Sequence, residues 1–80
     1  MNIKIKYFAS LREKSQKSED LLDISERQNL SEIYGLLREK YNFPLTASEI
    51  KFAVNNEYVG DEYLLKEHDV VAFIPPVAGG

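Results

Sequence analysis

The side chains that most often carry catalysis or bind metals are scarce in this sequence. Cysteine is absent, and His68 is the single histidine, in the turn-like segment KEHDV. A Cys–His pair is therefore excluded, and a Ser–His–Asp site would depend on His68 alone, which we interpret as an exposed turn residue. The acidic residues lack the spacing of a calcium or zinc site, and the four glycines form no phosphate-binding loop. We expect no bound cofactor and no metal.

The remaining candidate for chemistry is the final segment PPVAGG, residues 75–80. Pro75 and Pro76 have no amide hydrogen and a fixed φ, so they cannot continue a strand and are expected to hold an extended tail away from the body. Six extended residues reach about 20 Å, long enough to enter a cleft of another protein. Gly79 and Gly80 have no side chains, so the tail could pass through a channel barely wider than a peptide backbone.

The terminal carboxyl group is the reactive group that this tail would present. Its pKa of about 3.3–3.7 keeps it ionised at neutral pH, so it is a poor electrophile until it is activated, for example as an acyl-adenylate. An activated Gly80 has no chiral centre to scramble. The alternative is a Gly-Gly end that simply frays. The two prolines, the apolar segment before them and the position of Gly80 at the end favour the functional interpretation.

The elements that must position this tail begin with a strand. NIKIKYF alternates strictly, which places Ile3, Ile5 and Tyr7 on one side and points Phe8 away from the core. The polar segment ASLREKSQKSED is interpreted as a loop, with room for a helical turn around Leu11. DLLDI is predicted to be a second strand, paired with the first as a hairpin.

One helix is predicted from residue 29 to residue 42. Apolar side chains recur at helical spacing from Leu30, and Asn29 with Glu32 resembles a capping box. The helix should end by Asn42, because Pro44 disfavours helical geometry at the residue before it. Glycine at position 35 should reduce helix stability by about 1 kcal/mol relative to alanine, and the sequence gives no reason for its presence there.

Three more strands are predicted after the helix. KFAVN and EYV form a hairpin whose turn uses Asn55 and Asn56, because asparagine tolerates positive φ. The turn-rich segment GDEYLLKEHD follows, with one helical turn expected at residues 63–65. VVAFI, residues 70–74, is the last strand, and its unbroken apolar run needs cover on both faces.

This order predicts an α+β domain in which one helix covers one face of a small mixed sheet. The other face keeps Phe8 and part of the last strand, which suggests a surface for a protein partner. The alternative is that Phe8 lies beneath the loop that follows it.

Composition sets the class of protein and its expected location. A hydrophobic content of 44% and a charged content of 29% are typical of a globular domain. A net charge of -3 argues against nucleic acid and is more compatible with a basic protein partner. No apolar run approaches the roughly 20 residues of a membrane span, and MNIKIKYF lacks the apolar core of a signal peptide. We expect a cytoplasmic protein with no membrane contact.

Two motifs carry a resemblance to a known family. VAFIPPVAGG resembles the VAFFPPVxGG ending of the small subunit of molybdopterin synthase, and YFASLRE resembles that family's FFAxLRE. With the order of elements between them, the resemblance spans the chain. It implies a ubiquitin-like β-grasp domain at residues 1–74 and an extended tail at residues 75–80.

The resemblance also implies a function as a non-catalytic sulfur carrier. In that family, an adenylyltransferase related to ubiquitin-activating enzymes uses ATP to adenylate the terminal glycine, and sulfur is then installed as a thiocarboxylate. The large synthase subunit accepts the tail, and the sulfur passes to cyclic pyranopterin monophosphate. The usual assembly is a heterotetramer of two small and two large subunits.

Site residues follow from the resemblance by motif. Gly80 would bear the thiocarboxylate, and the tail path would be lined by Gly79, Val77, Pro76 and Pro75. The partner interface would include Phe8, Arg12 and Ile74, with Tyr58 added from its position in the short fourth strand. Ile74 stands where the family more often has phenylalanine, which reduces the expected apolar contact.

Three other functions are weighed against this one. A sulfur carrier for thiamine synthesis would share the fold and the Gly-Gly end. A ubiquitin-like modifier would end in isopeptide bonds to lysines. An interaction module would leave the tail idle.

Overall fold

The computed structural model describes residues 1–25 and 27–76, so the predictions for Val77, Gly79 and Gly80 lie outside the described residues. The elements in chain order are β1 (Asn2–Tyr7), α1 (Ala9–Ser15), β2 (Glu19–Asp23), α2 (Leu30–Tyr41), a 3-10 helix (Ala47–Glu49), β3 (Lys51–Val54), β4 (Glu57–Val59) and β5 (Val70–Ile74). The five strands form one sheet in the order β2-β1-β5-β3-β4. The predicted α+β class and the β1–β2 hairpin are confirmed.

The last strand lies in the middle of the sheet. β5 runs parallel to β1, with Tyr7 opposite Phe73, and antiparallel to β3, with Lys51 opposite Ile74. A central strand is hydrogen-bonded along both edges, so its end is fixed more firmly than the end of an edge strand. The strand that leads to the tail is therefore hydrogen-bonded to a neighbour on each side, unlike the edge strands β2 and β4.

The core lies between the sheet and α2. Alternate residues of the strands face inward, including Ile5 and Tyr7 of β1 and Val71 and Phe73 of β5, all 2% exposed or less. α2 meets them with the side chains at its apolar positions: Leu30, Ile33, Tyr34 and Leu37. Phe43, just after the helix, stacks on Tyr34 with ring centroids 5.8 Å apart.

The predicted boundaries of α2 are confirmed. Asn29 Oδ1 accepts a hydrogen bond from the amide of Glu32 at 2.8 Å, and Glu32 Oε1 accepts one from the amide of Asn29 at 3.1 Å. Asn42 ends the helix with a left-handed φ of 59°. A Cβ at Gly35 would meet nothing within 4 Å, so no close contact requires glycine there.

The interpretation of residues 9–20 as a loop was wrong for its first half, which is the helix α1. Leu11 is fully buried, and Ser15 is buried with its hydroxyl donating to the carbonyl of Lys17 at 3.0 Å. Gln16 ends the helix with a φ of 60°. The segment has a single large apolar residue, so its sequence shows no apolar repeat at helical spacing. Burial of Leu11 in the core stabilises the helix instead. The sheet therefore has two α-helices packed with it rather than one.

The helical turn predicted at residues 63–65 was also wrong, and the short 3-10 helix at residues 47–49 was missed. Residues 60–69 are organised instead around Asp69, which is 6% exposed. Its Oδ2 accepts hydrogen bonds from the amide of Lys66 at 2.8 Å and from the hydroxyl of Tyr63 at 3.4 Å. The buried carboxylate and two single turns, closed by backbone hydrogen bonds from Tyr63 to Gly60 and from Asp69 to Lys66, thus shape this segment without a helix.

The predicted turn between β3 and β4 is confirmed, and it also holds the start of β5. Asn55 and Asn56 have φ values of 51° and 73°. The Asn55 side chain donates to Asp69 Oδ1 at 2.9 Å and accepts from the amide of Val70 at 3.0 Å. The hairpin is therefore tied to the strand that carries the tail.

Replacing Asn55 by glycine should destabilise the protein. Asn55→Gly keeps the positive φ but removes both side-chain hydrogen bonds, one of them to buried Asp69, so we expect a loss of about 1–3 kcal/mol in the free energy of unfolding. Asn56→Gly is the matched control and should change it by less than about 0.5 kcal/mol. Chemical denaturation of both variants measures the difference, and equal effects would contradict the role assigned to the Asn55 amide.

A cluster of hydrogen bonds around Asp20 links β1, β2 and α2. Asp20 Oδ2 accepts from the hydroxyls of Tyr7 at 2.8 Å and Tyr41 at 2.6 Å, and Lys17 Nζ lies 3.2 Å from Oδ1. Burial, and then the adjacent Asp20, raise the pKa of Tyr7 far above its ordinary value. Burial alone would raise the pKa of Asp20, but hydrogen bonds from Tyr41, Tyr7 and Lys17 outweigh it and lower that pKa below 3.8.

Asp20→Ala should cost about 1–3 kcal/mol in the free energy of unfolding at neutral pH, because it leaves the buried Tyr7 hydroxyl without its acceptor. The Asp20 pKa is lowered by folding, so its contribution is present above the ordinary carboxyl pKa and is lost as the pH falls through the lowered value. The stability difference between wild type and variant should therefore narrow in acid.

Chemical denaturation at neutral and acidic pH measures this difference. Asp23→Ala, an exposed carboxylate on the same strand whose ion pair is with the chain's amino group, is the control and should cost less than about 1 kcal/mol. A difference that widens in acid would contradict the assignment.

Candidate docking face and tail

One face of the sheet points away from the α2 core, and we call it the outer face. Its residues, given by strand alternation and pairing, are Asn2, Lys4, Lys6, Phe8, Glu19, Leu21, Asp23, Lys51, Ala53, Tyr58, Val70, Ala72 and Ile74. Phe8 is 44% exposed and Tyr58 is 71% exposed. Apolar side chains of this size on an accessible sheet face are typical of a surface that binds another protein.

The outer face has a shallow depression of about 250 Å³ at its centre. Small side chains occupy its middle, because Ala72 of β5 lies opposite Ala53 of β3. Larger side chains line its edges, among them Phe8, Tyr58 and Ile74. Three of the four residues predicted for the partner interface are therefore brought together in one place, although they lie up to 66 positions apart in the sequence. Their interface role stays a prediction.

Phe8 owes its position to the junction between β1 and α1. Its backbone is still extended, with φ -129° and ψ 153°, and its carbonyl accepts hydrogen bonds from the amides of Leu11 and Arg12 at the start of α1. The alternation of β1 therefore continues through Phe8 and directs its side chain outward, as predicted. The alternative, in which a following loop covers Phe8, was wrong because the next residues form α1 and leave Phe8 exposed.

Arg12 is the predicted interface residue that the structure keeps apart from this depression. It is exposed on α1 and lines a separate depression with Glu13, Gln16 and Lys17. The YFASLRE motif thus spans two surfaces. Phe8 lies on the outer face, and Arg12 lies one helical turn further along the chain.

The tail begins at the end of the central strand. Pro75 is buried and Pro76 is exposed, directly after Ile74 on the outer face. The boundary that was predicted between body and tail at residue 75 stays a prediction, as do the roles of Val77, Gly79 and Gly80. The described geometry puts the base of the tail beside the apolar depression, so a partner bound there would lie next to the emerging chain.

His68 is exposed in a turn, as predicted, with Nδ1 3.8 Å from Glu67 Oε2. Across residues 1–25 and 27–76, no group of three histidine, cysteine or acidic side chains is arranged to hold a metal ion. Neither α-helix in the described part of the chain is long and apolar enough to cross a bilayer.

Together these features define a class of protein. A mixed sheet with a capped helix on one face, and with the last strand in the centre leading to a tail, is the ubiquitin-like β-grasp fold.

Comparison with known proteins places the chain within that class. Residues 5–80 match the ThiS family. A molybdopterin synthase sulfur carrier subunit from Chlamydomonas reinhardtii is 34% identical over 85 residues, covering 100% of both chains. The corresponding subunit from Drosophila erecta is 28% identical, covering 100% of this chain and 92% of its own. The chain belongs to the ThiS family.

Solved structures agree with this fold. Molybdopterin converting factor subunit 1 from Pyrococcus furiosus superposes with a TM-score of 0.79 at 27% identity, covering 96% of this chain and 99% of its own. Small archaeal modifier protein 1 from Methanosarcina acetivorans gives 0.76 at 26% identity, covering 99% and 96%. A complex of subunits 1 and 2 of molybdopterin-converting factor from Helicobacter pylori contains a chain that gives 0.71 at 22% identity, with 100% of both chains covered.

Proposed function

We propose that this protein is the sulfur carrier subunit of a molybdopterin synthase. The observation that carries the proposal is the full-length similarity to relatives of that name, one of them 34% identical. The similarity includes the tail as well as the β-grasp body. The outer face beside the base of the tail supports the proposal, because a carrier must present its end to a bound partner.

The reactive group in this proposal is the carboxyl of Gly80. An activating adenylyltransferase uses ATP to convert it into an acyl-adenylate with release of pyrophosphate. Hydrosulfide supplied by the sulfur source then attacks the acyl carbon, AMP leaves, and loss of the sulfur-bound proton gives the thiocarboxylate. The carrier itself binds no cofactor and supplies no catalytic side chain, because ATP and the catalytic groups belong to its partners.

The receiving partner is the large subunit of the synthase. The Helicobacter pylori complex of subunits 1 and 2 supports a pairing of this kind. The large subunit would bind the outer face around Phe8, Tyr58 and Ile74, and would accept the tail from Pro75 and Pro76 through Val77 and Gly79 to Gly80. Sulfur would pass from the thiocarboxylate to cyclic pyranopterin monophosphate in a cytoplasmic heterotetramer.

The proposal is tested by measuring the mass of the intact protein by mass spectrometry. We expect the protein, after incubation with the activating enzyme, ATP and a sulfur source, to gain the mass difference of one sulfur for one oxygen. Adding the large subunit and cyclic pyranopterin monophosphate should return it to its original mass as molybdopterin forms. A chain that never acquires sulfur would overturn the proposal.

A ubiquitin-like modifier is the second candidate function. The similarity to small archaeal modifier protein 1 favours it, at 26% identity and a TM-score of 0.76. Mass spectrometry of cell extracts distinguishes the two, because a modifier leaves Gly80 joined to lysine side chains of other proteins. A carrier restricted to thiamine synthesis would instead fail to co-purify with a pterin-binding large subunit.

A further inference from the structure

We propose that the large subunit binds the outer face with a bulky apolar side chain inserted over Ala53 and Ala72, and with carboxylates placed to pair with Lys6 and Lys51. The inference rests on the proposed function for the identity of the partner. It adds the chemistry of the partner surface, which is apolar in the centre and acidic around it.

The apolar part follows from the size and lining of the depression. At about 250 Å³ it is smaller than the roughly 300–1,000 Å³ of pockets that bind small molecules. Ala53 and Ala72 leave room at its centre, while Phe8, Tyr58 and Ile74 provide apolar walls. A depression of this shape fits one large side chain, and side chains that fill such pockets dominate the binding energy of protein interfaces.

The charged part follows from two lysines on opposite sides of the depression. Lys6 of β1 lies opposite Ala72, and Lys51 of β3 lies opposite Ile74, so β5 with its apolar side chains separates them. Both lysines are exposed. In the described part of the chain, neither has a carboxylate within 4.0 Å, whereas Lys4 on the same face pairs with Glu19 at 3.5 Å.

Lys51 has one further contact. Its Nζ lies 5.7 Å from the centroid of the Tyr58 ring, close enough for a cation–π interaction. This contact holds the ammonium group over the wall of the depression without neutralising it. A carboxylate approaching from a partner would then meet a charge that is already positioned, which lowers the entropy cost of forming the pair.

The outer face carries Lys4, Lys6 and Lys51 against the carboxylates of Glu19 and Asp23. Its local charge is therefore positive, opposite to the net charge of -3. Screening limits interactions between exposed charges to about 8 Å at physiological salt, so a partner over the depression responds to Lys6 and Lys51 more than to distant carboxylates. Glu19, the cross-strand neighbour of Lys6, is already paired with Lys4 at 3.5 Å. Net charge alone favours a basic partner, whereas the charges on the outer face favour an acidic partner surface at that place. Complementary charges of this kind steer association and select the partner.

The test is calorimetric titration of the large subunit with the full-length carrier and its variants at low and high salt. Wild type should bind, and more weakly at high salt. The double variant Lys6→Glu and Lys51→Glu should bind about tenfold more weakly or worse, with a smaller salt dependence. The glutamine double variant, which removes charge without reversing it, should fall between them.

One further double variant tests whether the position of the charges matters, and one single variant tests the shape of the depression. Lys40→Glu with Lys66→Glu makes the same change in net charge away from the outer face and should bind like wild type. Ala72→Leu fills the depression and should also weaken binding about tenfold or more, with an unchanged unfolding midpoint.

The outcomes distinguish failure of the proposed partner surface from failure of the proposed carrier function. Unchanged or tighter binding by both lysine double variants, with wild type binding normally, would overturn the acidic partner surface and leave the carrier proposal standing. Full affinity of folded Ala72→Leu would overturn insertion over Ala53 and Ala72. Absence of any binding by wild type would overturn the proposed function, and this inference with it.

Discussion

Deleting Gly80, or adding one residue after it, is expected to abolish thiocarboxylate formation and sulfur delivery while the unfolding midpoint stays unchanged. Either change moves the terminal carboxyl by one residue, about 3.3–3.6 Å along an extended tail. Misplacement of a reacting group by even about 1 Å can cost roughly a hundredfold in rate. The body should not respond, because β5 and Pro75 are left intact.

The measurement is intact mass after reaction with the activating enzyme, ATP and a sulfur source, together with thermal unfolding. Ala78→Gly is the matched control, because it changes the tail sequence but keeps its length and its Gly-Gly end, and it should still acquire sulfur. Full sulfur delivery by the extended chain would contradict the role of Gly80. A large fall in the midpoint would mean that the tail also stabilises the body.

Phe8→Asp is expected to weaken binding of the large subunit by about a hundredfold or more while leaving the protein folded. The loss combines two effects: an apolar contact worth about 1.5–3 kcal/mol when fully buried, and a carboxylate that would lie in an apolar interface. Added negative charge would also repel an acidic partner surface. Binding is measured by calorimetric titration.

Stability should respond differently, because Phe8 is also the N-cap residue of α1 and makes no side-chain capping bond. Aspartate is among the best N-cap residues, so it can accept a hydrogen bond from an amide of the first turn and gain about 0.5–2 kcal/mol. This gain offsets the loss of the partly buried ring. We expect a change of less than about 1 kcal/mol in the free energy of unfolding.

The matched control is Leu64→Asp. Leu64 is another large apolar side chain, 82% exposed but outside the outer face, and its replacement should leave affinity unchanged. Equal affinity of Phe8→Asp and wild type would remove Phe8 from the interface. Equal losses in both variants would point to an effect of net charge rather than of position.

Sequence patterns predicted the elements that are stabilised by local interactions. Asn29 and Glu32 mark the start of α2 because both partners of the capping box lie within one turn. Asn55 and Asn56 mark the β3–β4 turn because their tolerance of positive φ is a property of the residue itself. Strand alternation likewise predicted that Phe8 points away from the core, since period two holds along any strand.

Elements that depend on distant residues could not be predicted in this way. α1 forms because Leu11 is buried by other elements, whereas ASLREKS itself has no apolar repeat at helical spacing. The segment before β5 follows the buried carboxylate of Asp69, whose partner Asn55 is 14 positions away. Both features arise from the completed core, which a local pattern cannot show.

In the candidate site, too, the part that depends on local sequence was predicted and the part that depends on distant residues was not. The tail was found from PPVAGG alone, because proline and glycine have the same conformational properties in any context. The depression depends on β5 lying between β1 and β3, which brings Ala72 beside Ala53 and sets Lys6 and Lys51 on either side of it. Strand order is a non-local property, so neither the depression nor its flanking charges could be read from the sequence.

The central position of β5 also bears on how the protein is made. During synthesis, β1 and β3 are made before residues 70–74, so each has one edge without its native partner until the last strand is added. Unpaired edges expose a chain to aggregation and proteolysis. A nascent chain that terminates early thus lacks both its sheet and the segment leading to Gly80. Completion of the five-stranded sheet therefore requires the strand from which the tail extends.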